Sequence, residues 1–425
     1  MSSLKKEKII SDIEGLIVLN KPKGYTSNDC IAVIKKGLHP KKIGHTGTLD
    51  VNATGVLVCL LGNATKCQEL LMKKGTKIYE AELIIGVSTD TEDVTGKILS
   101  VDTIDNIDSI RNKINESIKS FIGIYDQVPP MYSAKKVAGK KLIDMARKGV
   151  VIERKACKVS IDDISILDER YEKVTIDERA IDVYKYKLRI ICSKGTYIRT
   201  LCKDIGEKIG IPSCMGDLVR VKNGDFNIED SISLDDVKMR IDSGDYSFIK
   251  PCYYLDKETA VTFGKFDTLH IGHRLIIETL VEEAKRSNLL SVAMIVGDNG
   301  DNEILSHDQR ISKLKYLEVD KIVNYKLTDS NKMLSPISFI HDILYKQLKA
   351  KIIVVGSDCH FGYKGEGDAS LLKNECEKLD IKVLVMDKLK VDGTDIDISS
   401  TYIKDEYSKG NTDLVSKLIG KDKGL

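Results

Sequence analysis

Apolar runs along the 425-residue chain follow two different rhythms. Up to about residue 235 they are short: GLIVLN (15–20), IYEAELIIG (78–86) and YKLRIICS (186–193) read as strands with helices between them, a mixed α+β pattern. LCKDIGEKIG (201–210) is predicted as a helix ending at Gly210, because Pro212 blocks its extension. From about residue 258 compact apolar runs recur as TAVTFG (259–264), LLSVAMIVG (289–297), AKIIVVGSD (350–358) and IKVLVMD (381–387). Helix-like segments such as LIIETLVEEAKRSN (275–288) separate them. Buried strands alternating with helices predict a parallel sheet of βαβ units, hence an α/β Rossmann-like domain. The change falls near 240–257, so the expected domains are 1–245 and 256–425.

Composition narrows the class. Apolar residues at 42% and charged residues at 31% describe a globular protein with material for real cores. No apolar run approaches the roughly 20 residues of a membrane helix, and MSSLKKEKIISDIEG has no signal-peptide core. The expectation is a cytoplasmic protein without membrane contact, and a monomer. Ten cysteines without a CxxC pair suggest a reducing compartment, and neither they nor the seven histidines show zinc-ligand spacing. The net charge of +2 is uninformative, but SAKKVAGKKLIDMARKG (133–149) gathers Lys135, Lys136, Lys140, Lys141, Arg147 and Lys148. That stretch is either a solvated helix face or a patch that binds a polyanion by releasing its counterions.

GHTGTLDVNATG (44–55) is an oddly polar loop whose Asp50 could be a turn residue, a cap or a reactive carboxylate. Its context resembles the bacterial tRNA pseudouridine synthase family that modifies the T-loop uridine at tRNA position 55. The resemblance rests on KPKGYTSND (21–29), GHTGTLDVNATGVLVCLLGNATK (44–66), KIYEAELIIGVSTDTEDVTG (77–96) and CSKGTYIRTLCKDIGEKIG (192–210), correctly ordered. QVPPMYSAKKVAGKKLIDMARKG (127–149) and LVRVKNGDF (218–226) fit as well, so it covers about the first 235 residues.

The resemblance implies an enzyme that needs neither cofactor nor metal and binds the tRNA T-arm. Asp50 would be the catalytic group, either attacking C1′ or removing a sugar proton to give a glycal. Such a carboxylate must stay ionised while partly desolvated, which calls for a cationic partner, and Arg199 holds that position. His45 would help displace the target uridine, Tyr79 would pack against it, and Tyr197 and Leu218 would add substrate contacts. Lys21, Lys135, Lys136, Lys140, Lys141 and Arg147 are the expected tRNA-backbone contacts. Without the motifs, Tyr79 would read as strand packing and Arg199 as a surface ion pair. Val51 and Asn52 depart from the Pro and Leu usual after the aspartate, VRV (219–221) has one arginine where two are usual, and nothing after residue 240 resembles the family's small RNA-binding domain.

In VTFGKFDTLHIGHRLII (261–277), His270 and His273 flank Ile271 and Gly272. They could be a metal pair, a chance surface pair, or the HxGH site of a nucleotidyltransferase, where histidines and helix N-terminal amides hold ATP phosphates. GSDCHFGYKGEGD (356–368) and ISSTYIKDEYSKGN (398–411) resemble the adenylyltransferase domain of bacterial bifunctional riboflavin kinase/FAD synthetases. Ser399 and Ser400 are natural N-caps for the last helix of that segment. The resemblance implies FMN and ATP giving FAD and pyrophosphate, with Mg²⁺ on the phosphates. Gly264, Phe266, Asp267, His270, Gly272, His273, Ser400, Thr401 and Lys404 are the expected nucleotide-binding residues. Thr268 stands where the family prefers glycine, Gly365 and Lys404 where it has arginines, and no flavin kinase segment is recognisable. Three readings stay open for this half: an active FMN adenylyltransferase, a relative with another substrate, and a module that only binds nucleotide or tRNA. For the whole chain, a non-catalytic tRNA-binding or folding protein is the rival.

Overall fold

Strand β1 (Gly15–Lys21) runs into helix α1 (Ser27–Leu38), which a Thr26–Asp29 capping box starts. The computed structural model describes residues 13–419 apart from 74, 105–106, 134, 138–139, 147, 151, 298–303 and 329–330. Arg147 and the side chains of Lys136, Lys140 and Lys141 lie outside the described residues. The chain divides into two units, Met1–Ser243 and Gly244–Leu425.

After α1, β2 (Ile43–His45) and β3 (Thr54–Leu61) enclose the loop of Asp50, and β4 (Lys77–Ile85) follows. Next come β5 (Gly123–Gln127) and a long hairpin, β6 (Cys157–Ile176) with β7 (Arg179–Cys192). Helix α2 (Ile198–Ile209), β8 (Ser213–Asn223), β9 (Phe226–Asn227), β10 (Ile232–Ser233) and α3 (Leu234–Asp242) complete the unit. Together the strands make one ten-stranded sheet, ordered β10-β1-β3-β8-β4-β7-β6-β5, with β2 paired to β3 and β9 to β8. Most neighbours are antiparallel, but β3 and β8 run parallel where Thr54 and Gly55 face Val219 and Arg220. There the backbones nearly touch. A Cβ at residue 55 would lie 2.3 Å from the Arg220 carbonyl oxygen and φ is +99°, so only glycine fits.

Helix α2 begins at Ile198, three residues before the predicted 201, and stops at Gly210, whose φ of 73° closes it. The predicted strand 186–193 is the inner end of β7, which extends outward to Arg179 as one arm of the hairpin with β6. Strands 54–61 and 213–223 were not predicted. Strand 54–61 is buried almost throughout and so lacks the period-2 signal, whereas 213–223 mixes apolar with charged and polar residues and alternates in burial only over its middle.

In the second unit, β11 (Thr259–Gly264), α4 (Ile271–Arg286), β12 (Leu290–Val296), β13 (Lys321–Tyr325), β14 (Ala350–Gly356) and β15 (Lys382–Met386) build an all-parallel sheet ordered β13-β12-β11-β14-β15. The apolar runs are continuous because both faces are covered. Val292 and Met294 enter one core cluster, while Ala293 and Ile295 enter another. Helix α5 (Ser400–Ser408) lies near the end of the described chain. Among the described residues no helix is long and apolar enough to cross a membrane.

Candidate functional sites

Asp50 sits in the loop between β2 and β3, its side chain 45% exposed, against the Arg199 guanidinium, which is 6% exposed. Arg199 Nε lies 2.9 Å from Asp50 Oδ2, and Nη2 lies 3.4 Å from Oδ1, a forked pair. The remaining donors are fixed by backbone: Nη1 donates to the Thr91 carbonyl (3.1 Å) and Nη2 to that of Tyr132 (2.8 Å). Asp93 Oδ2 stands 3.9 Å from Nε. Four of the quoted motif stretches, around 50, 91, 132 and 199, therefore meet at one guanidinium.

The loop itself is anchored by its carbonyls. Arg220 Nη2 donates to Gly47 (3.0 Å), Asn223 Nδ2 to Thr46 (3.1 Å), Ser27 Oγ to Leu49 (3.1 Å) and Lys21 Nζ to Val51 (3.1 Å). The Gly24 amide also donates to the Val51 carbonyl, at 2.9 Å. Val51 and Asn52 thus leave the loop tied on both sides of Asp50.

This corrects one expectation. Lys21 is fully buried and also donates to the carbonyls of Pro22 and Tyr25, so it is a loop anchor and does not face the tRNA backbone. Burial lowers its pKa, opposed by Cys30 and Asp50. The single arginine of VRV is likewise fully buried and holds the loop.

Tyr79 on β4 is buried, and burial raises the pKa of its phenol. Its register partners are Ile190 and Arg220. His45 is half-buried at the end of β2. Burial, then the charge of Arg220, lowers its pKa, so the imidazole is neutral near pH 7. Leu218 is buried on β8, whereas Tyr197 is half-buried just before α2. Gln127, buried, brackets the Tyr197 peptide: its Oε1 accepts from the Tyr197 amide (2.8 Å) and its Nε2 donates to the carbonyl (3.0 Å). That bracket sets the start of the helix carrying Arg199. Gln127, Asn223 and Arg220 all lay inside the quoted motifs, but nothing local marked them as buried. Of the basic stretch, Lys135 Nζ is 2.7 Å from Cys157 Sγ, and Lys148 is exposed.

In the second unit β11 ends at Gly264, and Phe266 (φ 52°) and Leu269 (φ 43°) turn the chain into α4. His270 is the N-cap: its Nδ1 accepts from the His273 amide at 3.3 Å. The two rings stack with centroids 3.9 Å apart. Burial pushes the pKa of His270 down to about 3 and that of His273 down to about 4. His270 is therefore neutral, and with Nδ1 accepting, its proton resides on Nε2, a donor for an anion. Among the described residues no group of three or more His, Cys, Asp or Glu side chains is arranged for a metal.

Two other expected nucleotide contacts are already engaged. Asp267 Oδ2 pairs with Lys404 Nζ, an ammonium expected to be free for phosphate. Burial raises the Asp267 carboxyl, but Lys404 and Ser400 outweigh it and leave it below its usual range. Phe266 is 2% exposed, and its ring packs edge-on against His273. Thr268 Oγ1 lies 2.9 Å from Ser400 Oγ. Ser399 caps α5 by accepting from the Tyr402 amide, leaving Ser400 and Thr401 beside the histidines. A cavity of about 630 Å³ opens here, lined by Gly264, His270 and Gly272 together with Phe263, Phe339 and Phe361. A polar pocket of about 250 Å³ lies between Asp267, His273, Thr401 and Lys404.

Three family models match the chain: TruB family pseudouridylate synthase (N terminal domain) over 35–198, tRNA pseudouridylate synthase B C-terminal domain over 199–257, and FAD synthetase over 254–402. The second extends past residue 240, where the resemblance was expected to stop. The tRNA pseudouridine synthase B of Geobacillus thermodenitrificans (strain NG80-2) is 44% identical over 232 residues, 55% of this chain and 74% of that protein. Its namesake in Alkaliphilus oremlandii (strain OhILAs) is 45% identical over 226 residues, 53% of this chain and 70% of that protein. A solved structure of an H/ACA RNP bound to a substrate RNA containing 2'-deoxyuridine is 26% identical, covers 56% of this chain and 59% of its own, and has a TM-score of 0.38. The chain belongs to the TruB family: its first half is a tRNA pseudouridine synthase, an isomerase, and its second half carries an FAD synthetase domain.

Proposed function

We propose that the first unit isomerises the T-loop uridine at tRNA position 55, with Asp50 as its catalytic carboxylate. The observation that carries this reading is the forked Asp50–Arg199 pair on a loop held at four carbonyls. A target base inside a folded tRNA must be turned out before its C1′ can be reached. Buried Tyr79 and Leu218 offer an apolar wall to that base, with neutral His45 and half-buried Tyr197 as further contacts. In the nucleophilic route Asp50 bonds to C1′ and the C1′–N1 pair departs with the uracil. The uracil turns, its C5 displaces the carboxylate, and the C5 proton is lost. In the glycal route Asp50 instead removes a sugar proton. A T-arm stem-loop with uridine at position 55 should be converted, and the same hairpin with cytidine there should give no pseudouridine. Modification only elsewhere on a whole tRNA would refute the T-loop assignment.

For the second unit we infer an FMN adenylyltransferase on a Rossmann-like sheet. The histidines follow β11, where the strand order turns from β12 on one side to β14 on the other, the usual ligand position in such sheets. The Nε2–H of His270, the first amides of α4, and Ser400 and Thr401 would hold ATP phosphates, and the aromatic-walled cavity would take the flavin. An FMN phosphate oxygen would bond to the α-phosphorus as its bond to pyrophosphate breaks. Asp267, the carboxylate of the polar pocket, is already paired with Lys404, so a Mg²⁺ here would be held mainly by the nucleotide phosphates and water.

That pair, with Thr268 bonded to Ser400, favours a second reading, a nucleotide-binding module without turnover. Incubating the full chain with ATP, Mg²⁺ and FMN should yield FAD on a chromatogram. ATP and FMN binding without FAD at high enzyme would establish the second reading.

A further inference from the structure

A second group of cations stands on the Arg220 side of the catalytic loop. Lys77 opens β4, in register with Cys192 and Asn223. Its Nζ lies 3.1 Å from the point where a Cβ at residue 47 would stand, and Arg220 Nη1 lies 3.6 Å from that same point. Residue 47 is glycine with φ +80°, so no side chain fills the space. Arg220 Nη1 is buried and makes no hydrogen bond among the described residues, although the guanidinium stands close enough to the Tyr79 hydroxyl to oppose the rise in its pKa. The positive charges bearing on Lys77 are those of Arg220 and Lys194, and the Cys192 thiol is near it as well. Lys194 is exposed in the turn after β7, and Arg220 also presses on His45.

Contrast with Lys21 is informative. An ammonium kept to brace the fold donates to backbone carbonyls, as Lys21 does three times. Lys77 makes no such bond among the described residues, although burial, then Arg220, lowers its pKa to about 8. Crowding cations without a counter-charge is unfavourable until an anion arrives. The established substrate is a polyanion. Gly47 is also only three residues from Asp50, at most about 11 Å along an extended chain.

We propose that Lys77, supported by Arg220 and Lys194, forms a subsite for a backbone phosphodiester of the substrate RNA beside the target uridine. The neighbouring positive charges strengthen its hold on the phosphate, and Gly47 puts no side chain between the loop and the Lys77 ammonium. Bound phosphate in turn keeps the ammonium protonated.

The test uses the full chain, an unmodified tRNA transcript and three proteins: wild type, Lys77→Met and Lys77→Arg. With Lys77→Met the slope of log K against log salt should shrink by about one, as for a lost phosphate contact. The loss should fall on KM, by about tenfold, and not on kcat, and Lys77→Arg should restore slope and KM. Because the protonated lysine binds, wild-type affinity should decline as pH rises through about 8, and Lys77→Arg should lack that step. An unchanged salt slope in Lys77→Met, or a loss confined to kcat, would overturn the proposal. If Lys77→Met does not fold, the pH comparison decides: the same decline in wild type and Lys77→Arg refutes the subsite.

Discussion

Asp50→Asn should lower pseudouridine formation by at least about 10⁴-fold, the upper range for a positioned acid–base group, while tRNA binding stays within a few-fold. Asparagine keeps the shape and can still accept one hydrogen bond from Arg199, so the loop should not move. Its other anchors, at Thr46, Gly47, Leu49 and Val51, do not involve the Asp50 side chain. What disappears is a carboxylate able to bond to C1′ or take a sugar proton. Tritium release or mass spectrometry under single turnover reads the rate, and filter binding reads affinity. Equal loss of both would show that Asp50 is structural.

Arg199→Lys should also be damaging, though less so and for a different reason. A guanidinium grips Asp50 with a fork while donating to the Thr91 and Tyr132 carbonyls, which no single ammonium can do at once. Freed carbonyls and a shifted carboxylate should cost about 10²-fold in kcat, the scale of roughly 1 Å of misplacement. Losing buried hydrogen bonds should also destabilise the unit by about 2–4 kcal/mol, visible as a lowered midpoint in denaturant. Wild-type kcat in this variant would mean that Asp50 works without a fixed partner.

Both replacements concern residues legible in the sequence, whose chemistry and motif context mark them. Less legible were Lys21, Arg220 and Gln127. Local pattern treats lysine, arginine and glutamine as surface residues, because most are. These three are buried only because strands distant in sequence close over them: β3 and β8 bring Arg220 under the loop, and β5 brings Gln127 to the Tyr197 peptide. Lys404 taught the same lesson in the second unit, where its ammonium is spent on Asp267.

The strand–helix alternation of 259–387 and the ordered motifs of the first half are local facts, set by side-chain period, turn residues and chemistry, and they determine the class of each half. Which charges face the substrate is not local. Lys21 and Lys77 flank the same loop, yet one is consumed by three carbonyls and the other makes no hydrogen bond among the described residues. Only the packed sheet decides between them, because hydrogen-bond satisfaction depends on which backbone groups the fold leaves within reach.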